Sequence, residues 1–202
     1  MLRVIAGTAK KRQLKVPKGL DVRPTSDRVK EALFNILGSF IPGCRFLDLF
    51  AGTGNVGIEA LSRGAGSAVF VEINRRNIRI IKENLAATGL ESKARLLNLD
   101  ACDALSLLGR EGQTFDIVFL DPPYLKNFEY DILAGIAGYS LLEPGGKVII
   151  ESSKKDRLPL EIEGLKVIRQ ERYGDTMLSF YNNEPAAREG NEFADRNMPG
   201  EF

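Results

Sequence analysis

The sequence predicts an α/β fold: a mostly parallel, seven-stranded sheet with helices on both faces, plus a small N-terminal β-hairpin extension. Two observations predict it. From residue 45 to residue 152 short apolar runs alternate with longer amphipathic stretches, and the runs are continuously apolar, as strands covered on both faces must be. A glycine-rich turn also separates the first run from its helix, where an open parallel sheet forms its ligand crevice.

"LRVI" (2–5) and "QLKV" (13–16) read as two short strands joined by the basic turn "AGTAKKR", an appendage outside the core, followed by the Pro-punctuated "PKGLDVRPTSD". Thr25 or Ser26 can cap a helix whose Val29, Leu33, Ile36, Leu37 and Phe40 share one face, and which ends at "IPG". Then come strand "RFLDLF" (45–50), helix 54–64, strand "SAVFVE" (67–72), helix 74–88, strand "ARLLNL" (94–99), a short helix over 101–108 and strand "FDIVFLD" (115–121). A helix over 129–140, the turn "EPGG" and strand "KVIIES" (147–152) follow, and "LKVIRQERYGDTMLSFY" supplies an antiparallel pair around "YGD". Residues 183–202 mix Pro, Gly, Asn and acids without periodicity and are expected to be disordered. The organisation is therefore an extension over 1–24, a main domain over 25–182 and a tail over 183–202.

The 202 residues, 44% of them hydrophobic, suffice for one α/β core. No apolar run approaches the roughly 20 residues of a membrane span, and "MLRVIAGTAKK" lacks the core of a signal peptide, so a cytoplasmic protein is expected. Cys44 and Cys102 stand apart, without zinc or redox spacing, and read as buried small hydrophobes; neither a metal nor a disulfide is expected. The chain has no histidine, so its chemistry must proceed without imidazole. Residues 1–30 hold nine basic and two acidic side chains, net +7, which leaves the remainder near −6. A polyanionic partner at the N-terminal end fits that asymmetry.

"LDLFAGTGNVGIEAL" sets Gly52, Gly54 and Gly57 in a G-x-G-x-x-G pattern, a weak signal alone. Glu72 closes the next strand, where a carboxylate can accept from both ribose hydroxyls, and the two features together indicate an adenosine cofactor. A nicotinamide dinucleotide would seat its pyrophosphate at the helix N-terminus, where Asp48 would repel it. S-adenosylmethionine carries no phosphate, and its ammonium and sulfonium suit Asp48. Asp100, ending the third strand, either accepts from the adenine amine or caps the next helix. Phe50 and Ala101 complete the candidate cofactor set.

"FLDPPY" (119–124) ends the fourth strand abruptly, because successive prolines cannot donate to a ladder. Asp121 and the Pro122 carbonyl are left as acceptors beside the cofactor crevice, and Tyr124 offers a flat π face. This suits a planar base with an exocyclic amine: the amine donates to Asp121 and Pro122 while the ring stacks on Tyr124. Held in line with the sulfonium methyl, the amine becomes a competent nucleophile by proximity and charge complementarity.

These residues resemble the amino-methylating class I S-adenosylmethionine-dependent methyltransferases, whose fourth motif is [DNS]-P-P-[YFW] and which act on DNA adenine, RNA guanine or protein glutamine. The closer resemblance is to the bacterial 16S ribosomal RNA guanine-N2 methyltransferase family. It runs from residue 2 to about 181 through "RVIAG", "RPTSDRVKEALFNIL" (23–37), "LDLFAGTGNVGIEALSRGA" (47–65), "FVEIN" (70–74), "FLDPPY" and "YGDT" (173–176). It implies a Rossmann-like class I methyltransferase fold, S-adenosylmethionine as cofactor, and a monomer that methylates guanine N2 in small-subunit rRNA, within a small-subunit particle. It also implies that Arg23, Thr25 and Arg28 form part of the substrate side, with Lys10, Lys11 and Arg12 on RNA phosphates. The family commonly has a glycine at Ala6 and Gly-Arg in place of Lys11-Arg12, so the shape of that loop stays open. Alternatives are adenine-N6 methylation of DNA or another RNA, and a non-catalytic RNA-binding protein on a relic cofactor fold.

Overall fold

Ser26 starts the first helix: its hydroxyl accepts from the Val29 amide at 3.3 Å, and α1 runs Asp27–Leu37 into a 3-10 turn over Gly38–Phe40. The computed structural model describes residues 2–17, 26–122 and 128–183. It continues with β1 (Arg45–Asp48), α2 (Asn55–Ser62), β2 (Ser67–Val71), α3 (Arg75–Thr88), β3 (Ala94–Leu97) and α4 (Ala101–Arg110). After these come β4 (Phe115–Leu120), α5 (Phe128–Gly138), β5 (Leu142–Ser153), β6 (Glu161–Ile162), β7 (Leu165–Tyr173) and β8 (Thr176–Asn182).

The strands form one sheet in the order β3-β2-β1-β4-β5-β8-β7-β6, parallel through β5 and antiparallel beyond it. The sheet has eight strands, not seven. The extra edge strand is two residues long, too short for an alternation signal. It exists because Glu163 (φ 46°) and Gly164 (φ 81°) make a two-residue turn, pairing Ile162 with Leu165, both buried. The expected "EPGG" turn lies inside β5 as an irregularity: Phe115 pairs with Leu142 and Ile117 with Lys147, the register jumping between them.

Both faces are covered. Phe46, Phe70 and Phe119 point to one core with α1, α2 and α3, while Leu47, Val69 and Val118 point to another with α4 and α5. On α1 the buried face is Val29, Lys30, Leu33, Phe34 and Leu37. Ile36 is only half-buried, and Phe40 lies exposed in the 3-10 turn beneath the Lys147 ammonium, 4.3 Å from its ring centre. Cys44 is buried, but Cys102 is exposed on the first turn of α4, whose buried face is carried instead by Ala101, Ala104, Leu105 and Leu108.

The N-terminal segment departs most from expectation. Its two strands reduce to a single antiparallel bridge, Arg3 to Gln13, and it is part of the core: Leu2, Val4, Ala9 and Leu14 are buried with α1 and α2. The reason is a polar staple. Fully buried Glu59 of α2 accepts from the Ile5 amide (2.8 Å), the Ala6 amide (3.0 Å) and Arg63 Nε (2.7 Å), with Lys30 Nζ at 3.4 Å. Lys30, also fully buried, donates to the Arg3 carbonyl (2.7 Å) and to Asn55 Oδ1 (2.5 Å). Buried Asn84 of α3 holds the other end, accepting from the Lys15 amide (2.7 Å) and donating to the carbonyls of Lys15 (3.1 Å) and Thr53 (2.9 Å).

Gly7 fits this seam only as glycine. Its φ is +83°, and a Cβ there would lie 1.8 Å from the Ser62 carbonyl oxygen, which the Thr8 amide engages at 2.8 Å. Gly7→Ala should lower the unfolding free energy by about 2–4 kcal/mol through strain and a displaced segment. A denaturation midpoint unchanged from the parent would show that the seam is loose.

Candidate active site

The crevice is set by strand order. Strand order reverses at β1, with β2 and β3 succeeding it on one side and β4 and β5 on the other, all parallel, the position where an open parallel sheet parts its loops. Asp48, last residue of β1, is in register with Phe70 on one side and Phe119 on the other. Glu72 and Asp121 each lie two residues further on, and so flank it. Glu151 follows Ile150, the register partner of Leu120, and so sits level with Asp121. Four carboxyl groups thus share one sheet edge.

The glycine turn is held open by those acids. Gly52 (φ 53°) donates its amide to Glu72 Oε2 at 2.9 Å, while Glu72 Oε1 accepts from the Asn74 amide at 2.7 Å. A Cβ at Gly52 would meet no described atom within 4 Å, so the turn faces space rather than protein. Gly57 has the opposite role: a Cβ there would come 2.3 Å from Phe70, so the missing side chain lets α2 lie on β2. Asp48 Oδ2 accepts the Gly57 amide at 3.0 Å and ties the helix to the strand end.

Burial pushes the Asp48 carboxyl up to about 7; the Gly57 hydrogen bond opposes the shift and the charge of Glu72 adds to it. Asp121, half-buried, is also raised well above the ordinary carboxylate range, by burial first and then by Glu151 and Asp48. This edge carries more negative charge than it can comfortably ionise, which a cation would relieve.

Asp100 is exposed and caps α4, accepting from the Asp103 amide at 2.9 Å, a bond that holds its carboxyl below the usual range. Ala101 is buried behind it. Phe50, just before the glycine turn, packs edge-on against Phe128 at 5.7 Å between ring centres and so connects that turn to the start of α5. Pro122 is buried. Lys10, Lys11, Arg12 and Arg28 are exposed, and Lys11 adopts φ 72°, a left-handed geometry that accounts for a glycine there in the resembled family. Tyr124, Arg23 and Thr25 lie outside the described residues.

Sequence reasoning missed Lys30, Asn55, Glu59 and Asn84, which brace the glycine turn from behind, and Glu151. The one available signal was a charge on an otherwise apolar helix face, as in "VKEALF" and "GIEAL".

A family model described as Conserved hypothetical protein 95 matches residues 2–182. An Escherichia coli K12 protein named Ribosomal RNA small subunit methyltransferase D is 33% identical over 183 residues, covering 91% of this chain and 90% of its own. The chain belongs to the small-subunit methyltransferase D family. A Bacillus subtilis protein, provisionally named rRNA methyltransferase YlbH, is 39% identical over 180 residues, covering 89% of this chain and 98% of its own. A solved Escherichia coli structure, provisionally described as the methyltransferase yhhF, matches with a TM-score of 0.80 and 34% identity, covering 90% of this chain and 97% of its own. The methyltransferase D family chain thus has the Rossmann-like class I methyltransferase fold, with the short β6 added at its edge.

Asp48 gives a signed stability effect. Its carboxyl titrates near 7 when folded and at the ordinary 3.8 otherwise, so between these values the folded state holds the extra proton. Stability therefore falls as pH rises from about 4 to about 7. Asp48→Asn keeps the acceptor for Gly57 and removes the charge; at pH 8 it should be more stable than the parent by on the order of 2 kcal/mol, the gap closing by about pH 4. Equal or lower stability at pH 8, in denaturant titrations at both pH values, would contradict this electrostatic reading.

Proposed function

We propose that the chain transfers a methyl group from S-adenosylmethionine to the exocyclic N2 amine of a guanine in small-subunit ribosomal RNA. The observation that carries the proposal is the edge shared by Asp48, Glu72, Asp121 and Glu151 around an open glycine turn. Such a site repels a pyrophosphate and attracts a cation, and S-adenosylmethionine is a cationic adenosine compound. The methyltransferase relatives named for small-subunit rRNA support the substrate.

The cofactor supplies an electrophilic methyl on a sulfonium. Glu72 keeps a second lone pair on each oxygen for the ribose hydroxyls, Gly52 and Gly54 let the backbone approach, and Asp48 complements the positive methionine end. Asp121 and the Pro122 carbonyl accept from the guanine amine and aim it at the methyl, with Tyr124 as the stacking face. The amine sheds a proton after transfer; in this reading Asp121 takes it, its raised proton affinity, due to burial first and then to Glu151, supporting that role. The enzyme is read as a cytoplasmic monomer acting on a small-subunit particle. Among the described residues no helix is long and apolar enough to cross a membrane.

The test supplies labelled S-adenosylmethionine to small subunits lacking the modification, to naked rRNA and to unmethylated duplex DNA, with nucleoside analysis. N2-methylguanosine is expected. Label found only as N6-methyladenine in DNA overturns the substrate, and no label despite cofactor binding overturns the activity in favour of a binding protein. Asp121→Ala should lose turnover by at least about a hundredfold while cofactor affinity by calorimetry stays within a few-fold. Loss of cofactor binding in that variant would contradict the role given to Asp121.

A further inference from the structure

The cations of α3 have no partner within the described protein. Arg75, Arg76, Arg79 and Lys82 are all exposed, and none forms an ion pair with a described residue. Several exposed cations elsewhere are matched, Arg45 with Asp116 and Glu143, Arg95 with Glu111, Lys166 with Glu161 and Arg169 with Glu171; Lys93, Lys155 and Arg157 are unpaired among the described residues but do not form a stripe on one helix. Arg75, Arg79 and Lys82 stand at i, i+4 and i+7, one stripe along the helix.

An ordinary solvated face would interleave opposite charges. Here like charges are neighbours at i+3 and i+4, and Arg75 and Arg76 occupy the first turn, where the helix dipole disfavours cations and no acid offsets them. The one acid near the stripe's far end, Glu83, is already taken by Lys15 at 2.8 Å. The stripe therefore opposes its own helix; no described acid relieves it, and an external anion would. Its position suits a long one: α3 begins three residues after Glu72 at the crevice, and its other end is docked to the N-terminal segment through Asn84. Three of the four cations are arginines, whose planar forks match phosphate oxygens.

We propose that this face of α3 is a second RNA-backbone surface, continuous with the arm that carries Lys10, Lys11 and Arg12, along which substrate phosphates run toward the crevice. The inference rests on the proposed rRNA substrate and extends its contact area to an element outside the basic N-terminal segment.

The test compares the parent with the triple variant Arg75→Gln, Arg79→Gln, Lys82→Gln, measuring affinity for small subunits lacking the modification and for naked small-subunit rRNA across a salt series. Three lost phosphate contacts should flatten the slope of log affinity against log salt by about 2 to 3. S-adenosylmethionine affinity should be unchanged, and the melting temperature should not fall, since repulsion along the helix is removed. A parent that binds rRNA with a triple-variant slope equal to its own overturns the α3 surface alone. A parent with no salt-dependent binding to either the particle or the naked rRNA overturns the substrate in the proposed function, and the α3 surface falls with it.

Discussion

A carboxylate with no access to water holds the N-terminal arm to the rest of this molecule. Glu59 is fully buried and must be satisfied in place; two amides of the N-terminal arm, the Arg63 guanidinium and the Lys30 ammonium do so. Burial lowers the Lys30 pKa and Glu59 opposes that shift, so each charge is tolerable only with the other present. The arm is therefore a structural part of the domain: if it leaves, Glu59 loses two of its donors inside a dry interior. Through Asn55 on one side and the Asn84 contact with Thr53 on the other, the same staple reaches the glycine turn.

That bracing explains how the crevice can carry an unfavourable charge pattern. Asp48, Glu72, Asp121 and Glu151 converge at the ends of parallel strands, and a backbone free to relax would splay them. Instead Gly52, Asn74 and Gly57 give their amides to Glu72 and Asp48, which fixes the acids while only partly compensating them. Burial first, and repulsion from the neighbouring acids second, raise the proton affinity of Asp48 and Asp121. A cationic ligand would offset the coulombic part, so its binding adds stability to the folded chain.

The parts of this arrangement legible in the sequence were those written locally. The apolar runs marked β1 to β5 to within a few residues, and Gly52, Gly54, Glu72 and Asp121 were found because a turn, a strand end or a proline pair declares itself within a few positions. Ser26 as a cap and Gly174 between β7 and β8 belong to the same class. The rest depended on pairing across distance. Lys30 and Glu59 are 29 positions apart, and each looks like a solvated helix charge until α1 and α2 are packed. Asn84 resembles any polar residue of α3 until Lys15 and Thr53 arrive beside it. β6 escaped because two residues have no period, and the arm was misjudged as outside the core because its burial comes from Glu59 and not from its own pattern.

The measurement that most directly tests this account is native-state amide exchange in the parent and in Glu59→Gln, where the new amide faces the arm's donors with one acceptor fewer. If the staple governs the site, Ile5 and Ala6 should exchange faster together with Gly54 of the glycine turn and Gly57 of α2, while Val118 and Phe119 of β4 stay protected. Faster exchange in the arm alone, with Gly54 and Gly57 unchanged, would mean that the turn holds its shape unaided and would contradict the dependence claimed for Glu59.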